Sequence, residues 1–163
     1  MTQPTGLNAT SLRVALVGSL LTAFVGGMLT PIDAWYAALA KPAFQPPNWA
    51  FGPAWTVIFI MAAYAAHTAW QRAPSSSARR WVIILFTTNA ILNVGWSFLF
   101  FYSRRPDLAL YESCLLWLSI LAIVIATVRY ARLSAILMLP YLAWVTFATV
   151  LNRAIVDLNA PFT

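Results

Sequence analysis

Five apolar runs, each long enough to cross a bilayer, occupy most of this 163-residue chain. A helical crossing of the hydrocarbon core needs about 20 predominantly apolar residues. Within that core every backbone N–H and C=O must be paired inside the protein, which admits only helices or closed barrels. The runs show no period-2 alternation, so the expected fold is an all-α integral membrane protein, a five-transmembrane-helix bundle in one domain. The predicted spans are 13–30, 51–70, 81–102, 108–128 and 133–156, with a loop at 31–49. The first run is longer than the apolar segment of a secretory signal and no A-x-A site closes it, so it is read as a span. Pro140 falls inside the fifth span and is expected to kink it or free a carbonyl there.

Charge narrows the partners. Charged residues make up 9% of the chain, against about 25% in soluble domains. The net charge is +6, but the basic residues sit singly or in pairs at the ends of apolar runs, which suits membrane-surface anchors and excludes a nucleic-acid interface. Arg13, Arg72, Arg79, Arg80, Arg129 and Arg132 share the amino-terminal side, against Lys41, Arg104, Arg105 and Arg153 on the other. This imbalance leans towards an inside amino terminus. The one cysteine, Cys114, excludes an internal disulfide.

The longest connection, WYAALAKPAFQPPNW from Trp35 to Trp49, carries three prolines, four aromatic residues and one lysine. Pro42, Pro46 and Pro47 fix their own φ and push the residues before them towards extended conformations. The stretch is too aromatic for a solvated linker. It reads either as an interfacial aromatic belt or as a semi-rigid lid over a cavity between helices.

Of the eight tryptophans, Trp35, Trp49, Trp70 and Trp81 lie at span ends, where the belt accounts for them. Trp96, Trp117 and Trp144 lie deep, and Trp55 about a turn into its span. Buried indoles need acceptors. Asn89, Asn93 and Trp96 share one face of the third span, and Trp144, Ala148 and Asn152 repeat the pattern on the fifth. Two helices that each pair indoles with carboxamides suit a cavity for a flat, largely apolar ligand, with helix packing as the alternative. His67 has no second metal ligand near it in sequence and is read as structural; no metal site is expected. Glu112, the one acid inside a span, suits a snorkelling, capping or proton-handling role. No nucleophile–base set is visible, and no catalytic residue is assigned.

FVGGMLTPIDAWYAALAKPAFQPPNWAFGPAW, TNAILNVGWSFLFF and LPYLAWVTFATVLN fall in order along the chain. On these segments the sequence resembles the translocator proteins, also called tryptophan-rich sensory proteins or peripheral-type benzodiazepine receptors. The resemblance implies a five-helix bundle, a homodimer, and a pocket beneath the first loop. It implies binding of porphyrins such as haem and protoporphyrin IX as ligands rather than obligatory cofactors, and of sterols and isoquinoline or benzodiazepine-type drugs. Carried over by position, the ligand site comprises Gly27, Tyr36, Trp55, Asn93, Trp96, Trp144, Ala148 and Leu151. The lid comprises Trp35, Lys41, Pro42, Pro46 and Pro47. Arg153 stands where the sterol-binding segment of animal members has a tyrosine, which argues against sterol recognition of that kind. With no targeting extension either, the expectation is a bacterial envelope membrane and a receptor or sensor of tetrapyrroles. A porphyrin-degrading enzyme and a porphyrin or sterol transporter are the alternatives.

Overall fold

The computed structural model describes residues 9–162. Among them are six α-helices and no strand: α1 Ala9–Met28, α2 Ala34–Ala38, α3 Phe51–Arg72, α4 Ser76–Ser97, α5 Pro106–Thr127 and α6 Arg132–Asn159. Five are long and apolar enough to cross a membrane. The protein is an all-α, multi-pass membrane bundle.

The five long helices form a ring in the order α1, α3, α6, α5, α4, closed by the α4–α1 seam, the loosest of the five. Its core lies between α3, α5 and α6, where Ile58, Leu116, Ile120, Ile123, Met138 and Val145 pack together. Helix α1 is the most peripheral; of its described residues only Thr22 and Gly26 are buried. Connections alternate between two ends of the bundle. The first loop, the α4–α5 turn and the end of α6 lie at one end; the start of α1 and the α3–α4 and α5–α6 turns lie at the other.

Local chemistry moves several boundaries from their expected places. The gap between the second and third predicted spans shrinks because Ser75 caps α4, its hydroxyl accepting from Ala78 N at 3.1 Å. Helix α4 therefore starts before Trp81. Helix α6 runs unbroken through Pro140. The proline-rich loop holds one helical turn, α2, ahead of its prolines, because the Asp33 carboxylate accepts from Tyr36 N at 3.0 Å. Beyond Ser97 the chain winds into a π-helical turn, Phe98–Tyr102, in which Ser103 N reaches back to Phe98 O at 2.8 Å. Arg104 then takes a left-handed φ of 54° to make the tight reversal into α5.

A candidate ligand cavity beneath the first loop

The loop is fastened over its end of the bundle at two points. Asp33 accepts from Arg104 across the α4–α5 turn at 3.0 Å while capping α2. Ala40 exchanges a reciprocal pair with Asn159 at the end of α6, each bond 2.8 Å. Lys41 turns back to close α2: its ammonium donates to Tyr36 O at 2.7 Å and Leu39 O at 3.1 Å and lies 4.7 Å from the Tyr36 ring centre. A cation on the free carbonyls of a helix C-terminus is favoured both by hydrogen bonding and by the helix dipole. The lysine that stands out in the loop sequence thus stabilises the loop's own fold.

Beneath the loop lies a cavity of about 320 Å³, enclosed by α1, α3, α4, α6 and the π turn. Gly27, Tyr36, Trp55, Asn93, Trp96, Trp144, Ala148 and Leu151 all line it. Trp35, Lys41, Pro42, Pro46 and Pro47 do not. They form the loop frame, in which Trp35 meets Phe100 edge-on at 6.3 Å and Pro47 leads into the 3-10 turn Asn48–Ala50. Trp117, the third deep indole, lies elsewhere: it donates to Thr146 at 2.8 Å and joins α5 to α6.

The walls are aromatic and their positions follow from helix geometry. Trp55 stacks on Phe59 at 5.5 Å, and Trp96 on Phe100 at 5.0 Å, both i,i+4 pairs. Phe51 meets Trp144 edge-on at 5.8 Å. Phe100 and Phe101 both line the cavity although they are adjacent in sequence. Successive residues of an α-helix point about 100° apart; the π turn changes the winding and lets both rings converge on the same space. Phe51, Phe59 and Phe100 carried a usable sequence signal, since each lies four residues from Trp55 or Trp96. Phe101 carried none, because nothing in its spacing announces a π turn.

The polar groups divide into committed and available. Trp96 Nε1 donates to Asn152 Oδ1 at 3.1 Å, and the Asn152 amide donates to Pro106 O at 2.8 Å. Asn93 donates to the Tyr141 hydroxyl at 2.8 Å. Trp144 Nε1 is shielded and has no acceptor among the described residues. No charged side chain lines the cavity. Burial raises the Tyr36 phenol above its ordinary range, with a smaller opposing effect from the Gln45 hydrogen bond, so it stays a neutral wall residue.

The other conspicuous polar residues serve elsewhere. Asn89 donates to Ser119 at 2.9 Å, linking α4 to α5. Buried His67 pairs through Nδ1 with Ser11 at 2.8 Å, which also accepts from Gln71. Glu112 is buried against α4 near Gly95, with neither oxygen hydrogen-bonded among the described residues, so it acts neither as a cap nor as a snorkelling anchor.

The TspO/MBR family profile matches residues 13–157. The chain belongs to that family. It is 36% identical to the tryptophan-rich protein TspO of Chlorobaculum tepidum, a match covering 94% of this chain and 99% of that one. To the tryptophan-rich sensory protein of Cereibacter sphaeroides it is 33% identical over 84% of each chain. To the human translocator protein it is 33% identical, over 74% of this chain and 72% of the human one. Within this TspO/MBR protein, the eight ligand-site residues carried over by position lie on five elements, α1, α2, α3, α4 and α6, and line one cavity.

Proposed function

We propose that this protein is a membrane receptor that binds a tetrapyrrole, or a flat aromatic molecule of drug size, in the cavity beneath its first loop. The observation that carries the reading is an uncharged, indole-walled cavity with few polar side chains in its lining. Aromatic faces favour offset or edge-on contact with a planar ring system, and a few placed polar groups set orientation in a mostly apolar site. The Asn48 amide and the Ser97 hydroxyl, which line the cavity, supply such groups. Ionised ligand groups, such as propionates, find no partner inside and remain at the loop end.

The volume of about 320 Å³ lies at the small end of the range of about 300–1,000 Å³ for ligand sites. A drug-sized aromatic fits beneath the closed loop. A protoporphyrin, with four pyrroles and two propionates, is larger, so its entry requires the loop to lift from its two fastenings. The name "sensory protein" borne by the Cereibacter sphaeroides relative accords with a receptor.

The test is a fluorescence titration of the solubilised protein with protoporphyrin IX, beside Ala148→Leu, whose added methyl groups enter the cavity. Saturable tryptophan quenching weakened at least tenfold by Ala148→Leu supports the reading. Linear quenching equal in both proteins indicates partition into the micelle and overturns it.

A further inference from the structure

A second, larger space lies at the opposite end of the bundle. A cleft of about 640 Å³ opens between α1, α3 and α4, bounded by Gly18, Thr22, Ala62, Ala66, Phe86 and Ala90 among others. Small side chains on three facing helices create it. A Cβ placed on Gly18 would meet nothing within 4 Å. Polar groups mark its two ends: Thr10 and Ser11 at the membrane-surface end, Asn89 and Tyr141 at the inner end.

The charge of that surface end is one-sided. The chain has four acids, Asp33, Asp107, Glu112 and Asp157, all on the three elements at the first-loop end. There Arg104, Arg105 and Arg153 are each paired with a carboxylate. The opposite end carries Arg13, Arg72, Arg79, Arg80, Arg129 and Arg132 with no acid to neutralise them. Arg79 stands 5.5 Å from the Trp70 ring, and Trp70 lines the cleft. An end rich in arginine is also the end that topology rules put on the cytoplasmic side, where anionic lipid is concentrated.

We propose that this cleft holds one acyl chain of an anionic phospholipid, with the lipid phosphate at Arg79 on the arginine-rich end of the bundle. An unfilled apolar void forfeits dispersion contacts along its whole wall, and lipid is the apolar material at hand. A helix from a second copy is too bulky: one turn takes up about 400–600 Å³ from its diameter and pitch, so the cleft holds little more than a turn. A slender chain fits. The arginines select the headgroup by charge, and the small residues select the chain by width.

The experiment uses the full-length protein in phosphatidylcholine nanodiscs. Each disc carries, as a minor component, phosphatidylglycerol or phosphatidylcholine with a photoactivatable diazirine near the acyl terminus. Crosslinked peptides are mapped by mass spectrometry. The expected result is labelling concentrated around Gly18, Ala62 and Ala66, about tenfold greater for phosphatidylglycerol, as several surface arginines predict. Gly18→Leu, and independently Ala66→Leu, should reduce it severalfold, and Arg79→Gln should cut the preference for phosphatidylglycerol severalfold. Protoporphyrin quenching by the same variants reports that the bundle is intact. Equal labelling by both lipids in the wild type would mean ordinary boundary lipid and overturn the proposal. So would labelling that avoids the cleft, or a crosslink joining α1 of two copies through Gly18.

Discussion

Asp33 and Arg104, 71 positions apart in sequence, meet at 3.0 Å and join the first loop to the α4–α5 turn. The same carboxylate caps α2 through Tyr36 N, so one side chain both starts the loop's helical turn and ties it down. Asp33→Asn should keep the cap, because asparagine caps as well as aspartate, while removing the ion pair. Asp33→Ala should remove both. Amide hydrogen exchange at Tyr36 and Ala37 is expected to rise severalfold in the alanine variant and little in the asparagine variant. Equal protection in all three proteins would show that the loop is held without Asp33.

The pH dependence of this tie has a definite sign. The Tyr36 N–H, and after it the Arg104 guanidinium, hold the Asp33 carboxyl below its ordinary value of 3.8, against an opposing effect of burial. A carboxyl whose folded value is depressed stabilises above its unfolded value and loses that contribution as pH falls through the folded one. Loop protection should therefore be flat from neutral pH to about 5 and decline only below the ordinary range of an aspartate. Exchange measured between neutral and strongly acidic pH checks this; a transition near pH 6 would point to another group.

Asn159 fastens the other half of the loop, exchanging both amide groups with the Ala40 backbone. A single change, Asn159→Ala, releases both bonds without touching the cavity wall. If a tetrapyrrole enters by lifting the loop, this variant should accelerate protoporphyrin association and dissociation together, leaving affinity within a fewfold of wild type. Stopped-flow quenching separates the two rates. Unchanged rates would mean that entry bypasses the loop, for instance between helices.

The spans and the deep indoles were legible because membrane burial writes itself into sequence as long apolar runs, and a tryptophan far from an interface has few reasons to be there. Trp55, Trp96 and Trp144 came together on that ground, and resemblance added Gly27, Tyr36 and Leu151. The π turn was not legible, since its extra residue is an outcome of packing between Trp96, Phe100 and Phe101. Nor was the cleft beside α1. Gly18, Ala62 and Ala66 carry no sign of it in their spacing, and only the folded packing reveals that they leave a space.

Asn152 holds the cavity wall rather than serving as a ligand contact. It is 1% exposed, accepts from Trp96 and donates to Pro106 O, joining α6 to α4 and to the start of α5. Asn152→Leu leaves the Trp96 indole N–H unpaired and removes the side-chain bond to Pro106 O. Unpaired buried groups cost about 1–3 kcal/mol each, and measured hydrogen bonds between membrane helices average about 0.6 kcal/mol. A loss of about 1–3 kcal/mol is expected, read as a lower midpoint in denaturation by sodium dodecyl sulfate. Trp96→Phe should cost less, because it removes the donor along with its need for a partner. Equal losses would place the energy in the ring rather than in the hydrogen bond.

Asn93 lines the cavity, yet its amide is engaged by Tyr141, which lines the second cleft. The two spaces therefore share a polar partition, and Phe59 lines both. Tyr141→Phe removes the acceptor and leaves the Asn93 N–H facing the ligand space. The variant should lose about 1 kcal/mol of stability, the ordinary net value of one hydrogen bond, while gaining affinity for ligands with a carbonyl acceptor. A carbonyl-bearing isoquinoline should bind severalfold tighter than to wild type, and an analogue lacking the carbonyl should show no gain. Asn93→Leu in the same background should erase the difference. A gain shared by both ligands would instead indicate that losing the hydroxyl had only enlarged the space.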